Sequence, residues 1–307
     1  MNRRTIVAAL VLAAAGAAAS ASARAQGPPS TFPGHPPAFV TPAGGTSTAQ
    51  PNQFGGQNVT LRRSDGSLYA TQSTDSAGRP LTTWFDLGNG ASTAVSATYS
   101  ASSSRALAKR RPRRHLAASC GNDSRNPLSV QWGGSMNWYW VSSSTPSYLD
   151  QTNTLTSLRS AHTEWVNVVN WCGIGDGSTL NTAYQGTIGT NFGQNGINSV
   201  GWGSVAALGL SGCSSPNTIA CTEWWASGST ITESDTRFDN TGRTTWYNGS
   251  LSTRTDVQST MAHEMGHSAG FDHVNDSTNV MYPTIFLGDT SNRELGRGDA
   301  NEDNAKY

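Results

Sequence analysis

Hydrophobic and polar positions change period several times along the chain, and each change predicts an element. Met136–Val141 alternates, with Trp138 and Trp140 on one side, which is the two-residue repeat of a strand. Tyr148–Trp171 has helical spacing instead: Leu155, Leu158, Ala161, Trp165, Val168 and Val169 fall on one face, and Asn170-Trp171-Cys172-Gly173 ends it. After a Gly-rich stretch, Asn198–Trp202 reads as a strand. Ile219–Ala226 and Thr230–Phe238 alternate on either side of Ser227-Gly228, the pattern of a hairpin. The helical period then returns, with Asp256 placed as an N-cap and Val257, Met261 and Met265 recurring every four residues. Asp299–Tyr307 predicts a short closing helix. Earlier, Asn58–Tyr99 holds short alternating runs with turn signals at Asp65-Gly66 and Asn89-Gly90, predicting one or two β-hairpins. The order strand, helix, strands, helix, with an antiparallel member, predicts a mixed α/β domain.

The front of the chain reads differently. Met1–Ala25 has a secretory signal's layout: Arg3 and Arg4, an apolar run Ile6–Ala19 too short for a membrane span, then Ala23-Arg24-Ala25 as a cleavage site. No other segment has the length and apolarity of a span. Gln26–Gln57, rich in Pro, Gly and Thr, reads as a flexible linker, and Ala101–Ala108 as a small-residue tether. Lys109-Arg110-Arg111-Pro112-Arg113-Arg114 is a basic run, open to reading as an anionic-surface patch or as a processing site. Its place between a small β-rich part and the chemistry-bearing region selects processing, and no nucleic-acid partner is expected.

Charge sharpens that division. The formal net charge is zero, yet residues 1–114 hold 12 Lys+Arg against 3 Asp+Glu, and residues 115–307 hold 8 against 17. A basic front held against an acidic body is one reading; the other is that signal and processing residues inflate the basic count. All four cysteines lie in 115–307. An even number in an exported chain predicts two disulfides, with three possible pairings. Cys213 and Cys221 enclose the turn-rich Ser214-Ser215-Pro216-Asn217 and are expected to pair, leaving Cys120 for Cys172 at the helix end.

The chemistry is concentrated at His263-Glu264-Met265-Gly266-His267-Ser268-Ala269-Gly270-Phe271-Asp272-His273, which holds three of the chain's six histidines. Four residues turn a helix through about 400° and advance it about 6 Å, so His263 and His267 share a face. Two imidazoles so placed can close on a zinc ion, with Glu264 beside the metal as a base for its water. Gly270 permits a sharp helix end, after which His273 returns as a third ligand and leaves the fourth position open, as in a catalytic site.

This H-E-x-x-H-x-x-G-x-x-H run, followed by Val280-Met281-Tyr282-Pro283, resembles the metzincin metallopeptidases, and Met281-Tyr282-Pro283 resembles the matrixin branch in a bacterial secreted form. The resemblance is strongest over about 130–307. It implies an α/β (α+β type) fold: a mixed, mostly parallel twisted sheet with an antiparallel edge strand, a long first helix and a zinc-binding helix. It also implies Met281 as an apolar floor under the histidines, and a substrate backbone pairing with the edge strand somewhere in 205–238. Thr284–Leu287 would wall the pocket for the residue after the cut bond, with Ile285 or Phe286 favouring an apolar side chain; ordinary core packing is the alternative for each.

These readings together give a signal peptide at 1–25, a prosegment at 26–114 acting as intramolecular inhibitor, and a catalytic domain at 115–307. The expected protein is a secreted or periplasmic, monomeric zinc endopeptidase acting on proteins or peptides. Matrixin prosegments often block zinc with a cysteine, but residues 26–114 contain none. Asp65, Asp75, Asp86 and His35 are the alternative caps. One zinc is expected, because the His-x-Asp stretches of a second site are missing. Asp176 and Asp239 are candidate calcium ligands or plain solvated loop acids. His162 is expected to be packed or solvated, and Tyr282 to stabilise an oxyanion or to serve structure. Competing functions are a zinc-binding adhesion module without proteolysis, a toxin-like protease with one narrow target, and a front segment kept as a surface-binding domain.

Overall fold

The computed structural model describes residues 39–100, 120–189, 192–208 and 212–307. The signal segment, His35, the tether and the basic run lie outside the described residues.

Fourteen strands are described: β1 Thr46–Pro51, β2 Gly55–Arg62, β3 Leu68–Asp75, β4 Pro80–Gly88, β5 Ala91–Ser100, β6 Gln131–Trp132, β7 Met136–Val141, β8 Thr182–Thr187, β9 Asn198–Gly203, β10 Thr218–Ser227, β11 Thr230–Asp239, β12 Trp246–Tyr247, β13 Thr255–Asp256 and β14 Thr284–Ile285. Three α-helices accompany them: α1 Gln151–Val166, α2 Val257–Ser268 and α3 Arg297–Lys306. Twelve strands form one sheet in the order β1-β2-β3-β4-β5-β10-β11-β9-β7-β8, with β14 added to β5 and β6 to β11.

The sheet is mostly antiparallel, which corrects the mostly parallel expectation. Parallel pairing is confined to β11–β9, β9–β7, β7–β8 and the short β6–β11 and β14–β5 pairs. The antiparallel majority comes from β1 to β5, a meander whose connections are too short for parallel crossovers. One or two hairpins were expected there, and β1 starts inside the stretch read as linker. The Asn89-Gly90 turn takes positive φ at both residues (57° and 78°), as a tight hairpin requires.

The meander does not stand apart. β5 pairs antiparallel with β10 from Thr218↔Tyr99 to Ser227↔Ala91, so two stretches far apart in sequence share one ladder. Opposite charge is not what joins them. Residues 39–100 contain Arg62, Arg63 and Arg79 against Asp65, Asp75 and Asp86. Among the described residues, their side-chain ion pairs, Arg63–Asp86 and Arg79–Asp75, stay within the meander.

The main core fills the space between β7, β9, β10 and β11 and the two helices α1 and α2. Trp138, Trp140, Trp165, Trp202, Phe238 and Trp246 supply its bulk, with Met261, Met265 and Phe271. α1 begins at Asp150, whose carboxylate accepts from Asn153 N at 2.8 Å. It stops earlier than its apolar pattern predicts, because Val168 takes a left-handed φ of 45°. Val169 and Trp171 are consequently 37% and 39% exposed rather than core. His162 is packed: it stacks on Trp138 (centroids 4.1 Å apart) with Nδ1 2.8 Å from Leu158 O. Disulfides join Cys120 to Cys172 and Cys213 to Cys221.

Candidate metal centre and cleft

Asp256 sets the start of α2. Its carboxylate accepts from Ser259 N (2.9 Å) and from Arg293 Nε and Nη2 (2.8 and 2.6 Å), a two-point clamp on the helix N-terminus. Every α2 residue except Gln258 is buried, so the helix runs through the core. It ends at Gly270, where φ is 82° and an added Cβ would lie 2.5 Å from Val130 O. That turn is fastened from α3: Lys306 Nζ donates to Gly270 O at 2.8 Å, and Tyr307 Oη to Ala269 O at 2.7 Å.

The reversal brings His273 against His263 and His267. Their Nε2 atoms form a triangle with sides of 3.0, 3.1 and 3.2 Å. Nitrogens bound tetrahedrally to one zinc at about 2.0–2.1 Å sit about 3.3 Å apart, so the triangle fits that ion. His263 Nδ1 lies 2.7 Å from Val280 O and His267 Nδ1 2.9 Å from Phe271 O. A carbonyl only accepts, so each Nδ1 carries the proton and each Nε2 presents a lone pair. Lone pairs facing one another at that distance need a cation between them. Burial holds His263 down at about pKa 4 and keeps His267 and His273 well below the ordinary imidazole value, so all three are neutral near pH 7, the state in which an imidazole can bind a metal. Among the described residues they are the only group of three or more His, Cys, Asp or Glu placed to share an ion.

His273 is held differently. Its Nδ1 is 3.6 Å from Asp272 Oδ1 and 3.5 Å from Thr82 Oγ1, and Thr82 donates to the same Asp272 oxygen at 2.5 Å. Thr82 belongs to β4, so the meander reaches the surroundings of the third histidine.

Glu264 is fully buried, and burial pushes its carboxyl up to about pKa 7 against the lowering effect of two hydroxyls. Thr222 Oγ1, from β10, donates to Oε2 at 2.6 Å; Thr98 Oγ1, from β5, donates to Oε1. Thr222 is one of a row of hydroxyls in cross-strand register: Thr82 (β4), Ser96 (β5), Thr222 (β10) and Thr236 (β11).

Met281 is fully buried in the main core. A Cβ on Gly266 would lie 2.2 Å from Met281 Sδ and 2.7 Å from Trp165 Cζ2, so the glycine within the zinc motif lets the methionine approach the helix. Asp299 of α3 holds the methionine turn, accepting from Val280 N (2.6 Å), Met281 N (3.3 Å) and Gly296 N (2.8 Å). Because Val280 O accepts from His263 Nδ1, a chain of contacts runs from α3 to His263. Gly266, Asp299, Thr222, Thr82 and Thr98 escaped the sequence reading. Only Gly266 left a usable signal, as a glycine inside a helix.

Ile285 is buried in the main core, while Phe286 and Tyr282 are partly exposed and stack on each other (centroids 6.5 Å). Asp65, Asp75 and Asp86 cap their own turns through Ser67 N, Ala77 N and Gly88 N, which corrects their candidacy as caps of the metal. Asp239 is engaged by Thr241 N and Oγ1 (both 2.9 Å at Oδ2) and lies 3.9 Å from Arg243. Asp176 caps a local turn through Ser178 N. No helix of the described residues is long and apolar enough to cross a membrane.

The model of the Matrixin family matches residues 213–307, which include the three histidines, Glu264, the methionine turn and α3. Over that stretch the chain is matrixin-like. Among curated protein sequences none matches it.

Proposed function

We propose that this chain, matrixin-like over residues 213–307, is a secreted zinc endopeptidase made as a zymogen, with a signal at 1–25, a prosegment at 26–114 and a catalytic domain at 115–307. The observation that supports the reading is the triangle of three buried Nε2 atoms with a buried carboxylate one residue along the same helix. Two disulfides within 120–221 fit an oxidising compartment.

His263, His267 and His273 would hold the zinc. When bound, the ion polarises the peptide carbonyl and makes water acidic enough to lose a proton near pH 7. Glu264 takes that proton and passes it to the departing amine. Thr222 would orient the carboxylate from β10, while Val280 O and Phe271 O keep two imidazoles in the metal-binding tautomer. Phe286, beside Tyr282 just past the methionine turn, would shape the pocket for the residue after the cut bond, with Ile285 behind it in the core.

The test is cleavage of a denatured protein by the full chain nicked with trypsin at Lys109–Arg114, with and without a chelator. Glu264→Ala is expected to keep one zinc per chain while losing about 10²–10⁴ in rate, the usual worth of a general base. A variant that cuts at the wild-type rate refutes the assignment. A folded, zinc-loaded wild type that cuts nothing once the released front fragment has been removed favours the adhesion module.

A further inference from the structure

A peptide recognised by strand addition needs a free sheet edge, and the edge of β10 not paired with β11 is taken by β5. β5 runs antiparallel to β10 and parallel to β14, so it threads between the sheet edge and the segment following the methionine turn. Main-chain bonds extend the ladder at its end: Tyr99 N donates to Pro283 O and Ser100 N to Asn217 O, both at 3.0 Å. Alternation then divides the strand. Ser96 and Thr98 face the metal centre, where Thr98 touches Glu264 and Ser96 lies 3.1 Å from Thr82. Val95, Ala97 and Tyr99 pack on the other face with Leu208, Cys213 and Cys221. The strand brings hydroxyls to the centre, with no carboxylate, imidazole or thiol in its sequence Ala-Ser-Thr-Ala-Val-Ser-Ala-Thr-Tyr-Ser.

We infer that Ala94–Ser100 is held as an internal substrate, with Ala97–Thr98 as the bond presented to Glu264 and the Thr98 hydroxyl as the latch that keeps it uncut. The substrate class of the cleft is then an extended peptide with small side chains on both residues flanking the bond. This rests on the endopeptidase reading above. The base must protonate the departing amine, and Thr98 is the strand residue whose side chain meets that base. The next residue, Tyr99, is already bound to Pro283 O beyond the methionine turn. Hydrolysis there adds water to the Ala97 carbonyl carbon and breaks the bond to Thr98 N. A carboxylate on Ala97 and an ammonium on Thr98 result. In the uncut protein Thr222 and Thr98 donate to the two oxygens of Glu264, so the carboxylate is engaged where it must accept a proton from water.

The test follows the full chain with zinc by intact mass and N-terminal sequencing, comparing wild type, Thr98→Val, Thr98→Ser and Thr98→Val with Glu264→Ala. Thr98→Val is expected to cut itself between residues 97 and 98 about 10–100-fold faster than wild type, the factor that a hydrogen bond to a charged group represents. Thr98→Ser, which restores the hydroxyl, is expected to stay intact with wild type, and the double variant to stay intact for want of the base. Thr98→Val left whole while the nicked wild type cuts added casein overturns the inference, and cutting at another bond overturns the register. If nicked wild type freed of the released front fragment cuts nothing, the endopeptidase reading fails separately. Hydrogen exchange then decides the placement: β5 amides as slow as those of β11 support it, and fast β5 exchange overturns it.

Discussion

Gly266→Ala isolates the contact between the zinc helix and the methionine turn. The added methyl would overlap Met281 Sδ at 2.2 Å and Trp165 Cζ2 at 2.7 Å, where carbon and sulfur atoms need about 3.5–4 Å. Neither neighbour has slack. Trp165 is pinned by its Nε1 bond to Ala262 O (2.7 Å) and stacked on Phe271, and Met281 is fully buried. Overpacking of this kind costs about 1–3 kcal/mol, and a clash with two rigid partners belongs at the upper end. Replacing a helical glycine by alanine returns about 1 kcal/mol, so the expected net loss is about 2 kcal/mol. For a domain of this size that lowers Tm by about 4–8 °C. Zinc affinity is expected to fall about tenfold as well, because moving Met281 displaces Val280 O, the acceptor that fixes His263. The assay is a thermal scan in chelator plus zinc competition, repeated on Met281→Ala and on the double variant. A clash with Met281 predicts that the double variant loses less than the sum of the singles. An alanine variant as stable as wild type, or strict additivity, refutes the account.

Thr222→Val keeps a β-branched residue in β10 but removes the donor to Glu264 Oε2 (2.6 Å); kcat of the nicked protein is expected to fall about tenfold at unchanged zinc content, as loss of one such bond implies. A loss confined to KM would place Thr222 in binding instead. Stability in chelator should respond to pH through two opposed sets of buried groups. Burial raises Asp299, Asp303 and Glu302 to about 6, 7 and 8, so their contribution is present below the unfolded carboxyl range and is lost as pH rises through those values. Burial lowers His162 and His263 to about 4, so theirs is present above the unfolded imidazole value and is lost as pH falls below it. Tm scans from pH 5 to 8.5 compare wild type with Glu302→Gln, which removes one buried ionisable carboxyl and is expected to lose less stability between pH 5 and 8; parallel curves contradict the assignment.

What was legible in the sequence was what local periodicity encodes. β7, β9 and the β10–β11 hairpin appear within a residue or so of the alternation that predicted them, as does the start of α2 at its Asp256 cap. Burial on both sides did not hide them, because bulky residues mark the period: Trp138 and Trp140 in β7, and Val257, Met261 and Met265 in α2. β5 was recognised only as part of one or two hairpins, because positions 92–99 are buried throughout and filled with small residues, leaving no polar face to mark a period. β1 failed for the opposite reason: all six of its residues are exposed. The parallel sheet implied by family resemblance describes β7, β8, β9 and β11, and could not anticipate five added antiparallel strands.

The placement of β5 also answers a problem that the cleft creates. A strand that recruits substrate must leave its edge open, and an open edge recruits any extended chain, including a second copy of the same protein. β10 is ten residues long and largely buried, so it is a costly edge to leave bare. A charged or kinked edge would protect it but would also repel substrate. Covering it with a strand from the same chain protects it only until that strand leaves, and the covering sequence then has two constraints. It must pair along the whole edge, and it must be small enough on the helix side to pass over Glu264 and the histidines. Ala94, Ser96 and Thr98 satisfy both, and the Thr98 hydroxyl would add, through its contact with Glu264, a block that size alone does not provide. The absence of cysteine from 26–114 is therefore compatible with inhibition, since engaging the base requires only a donor where the strand already passes.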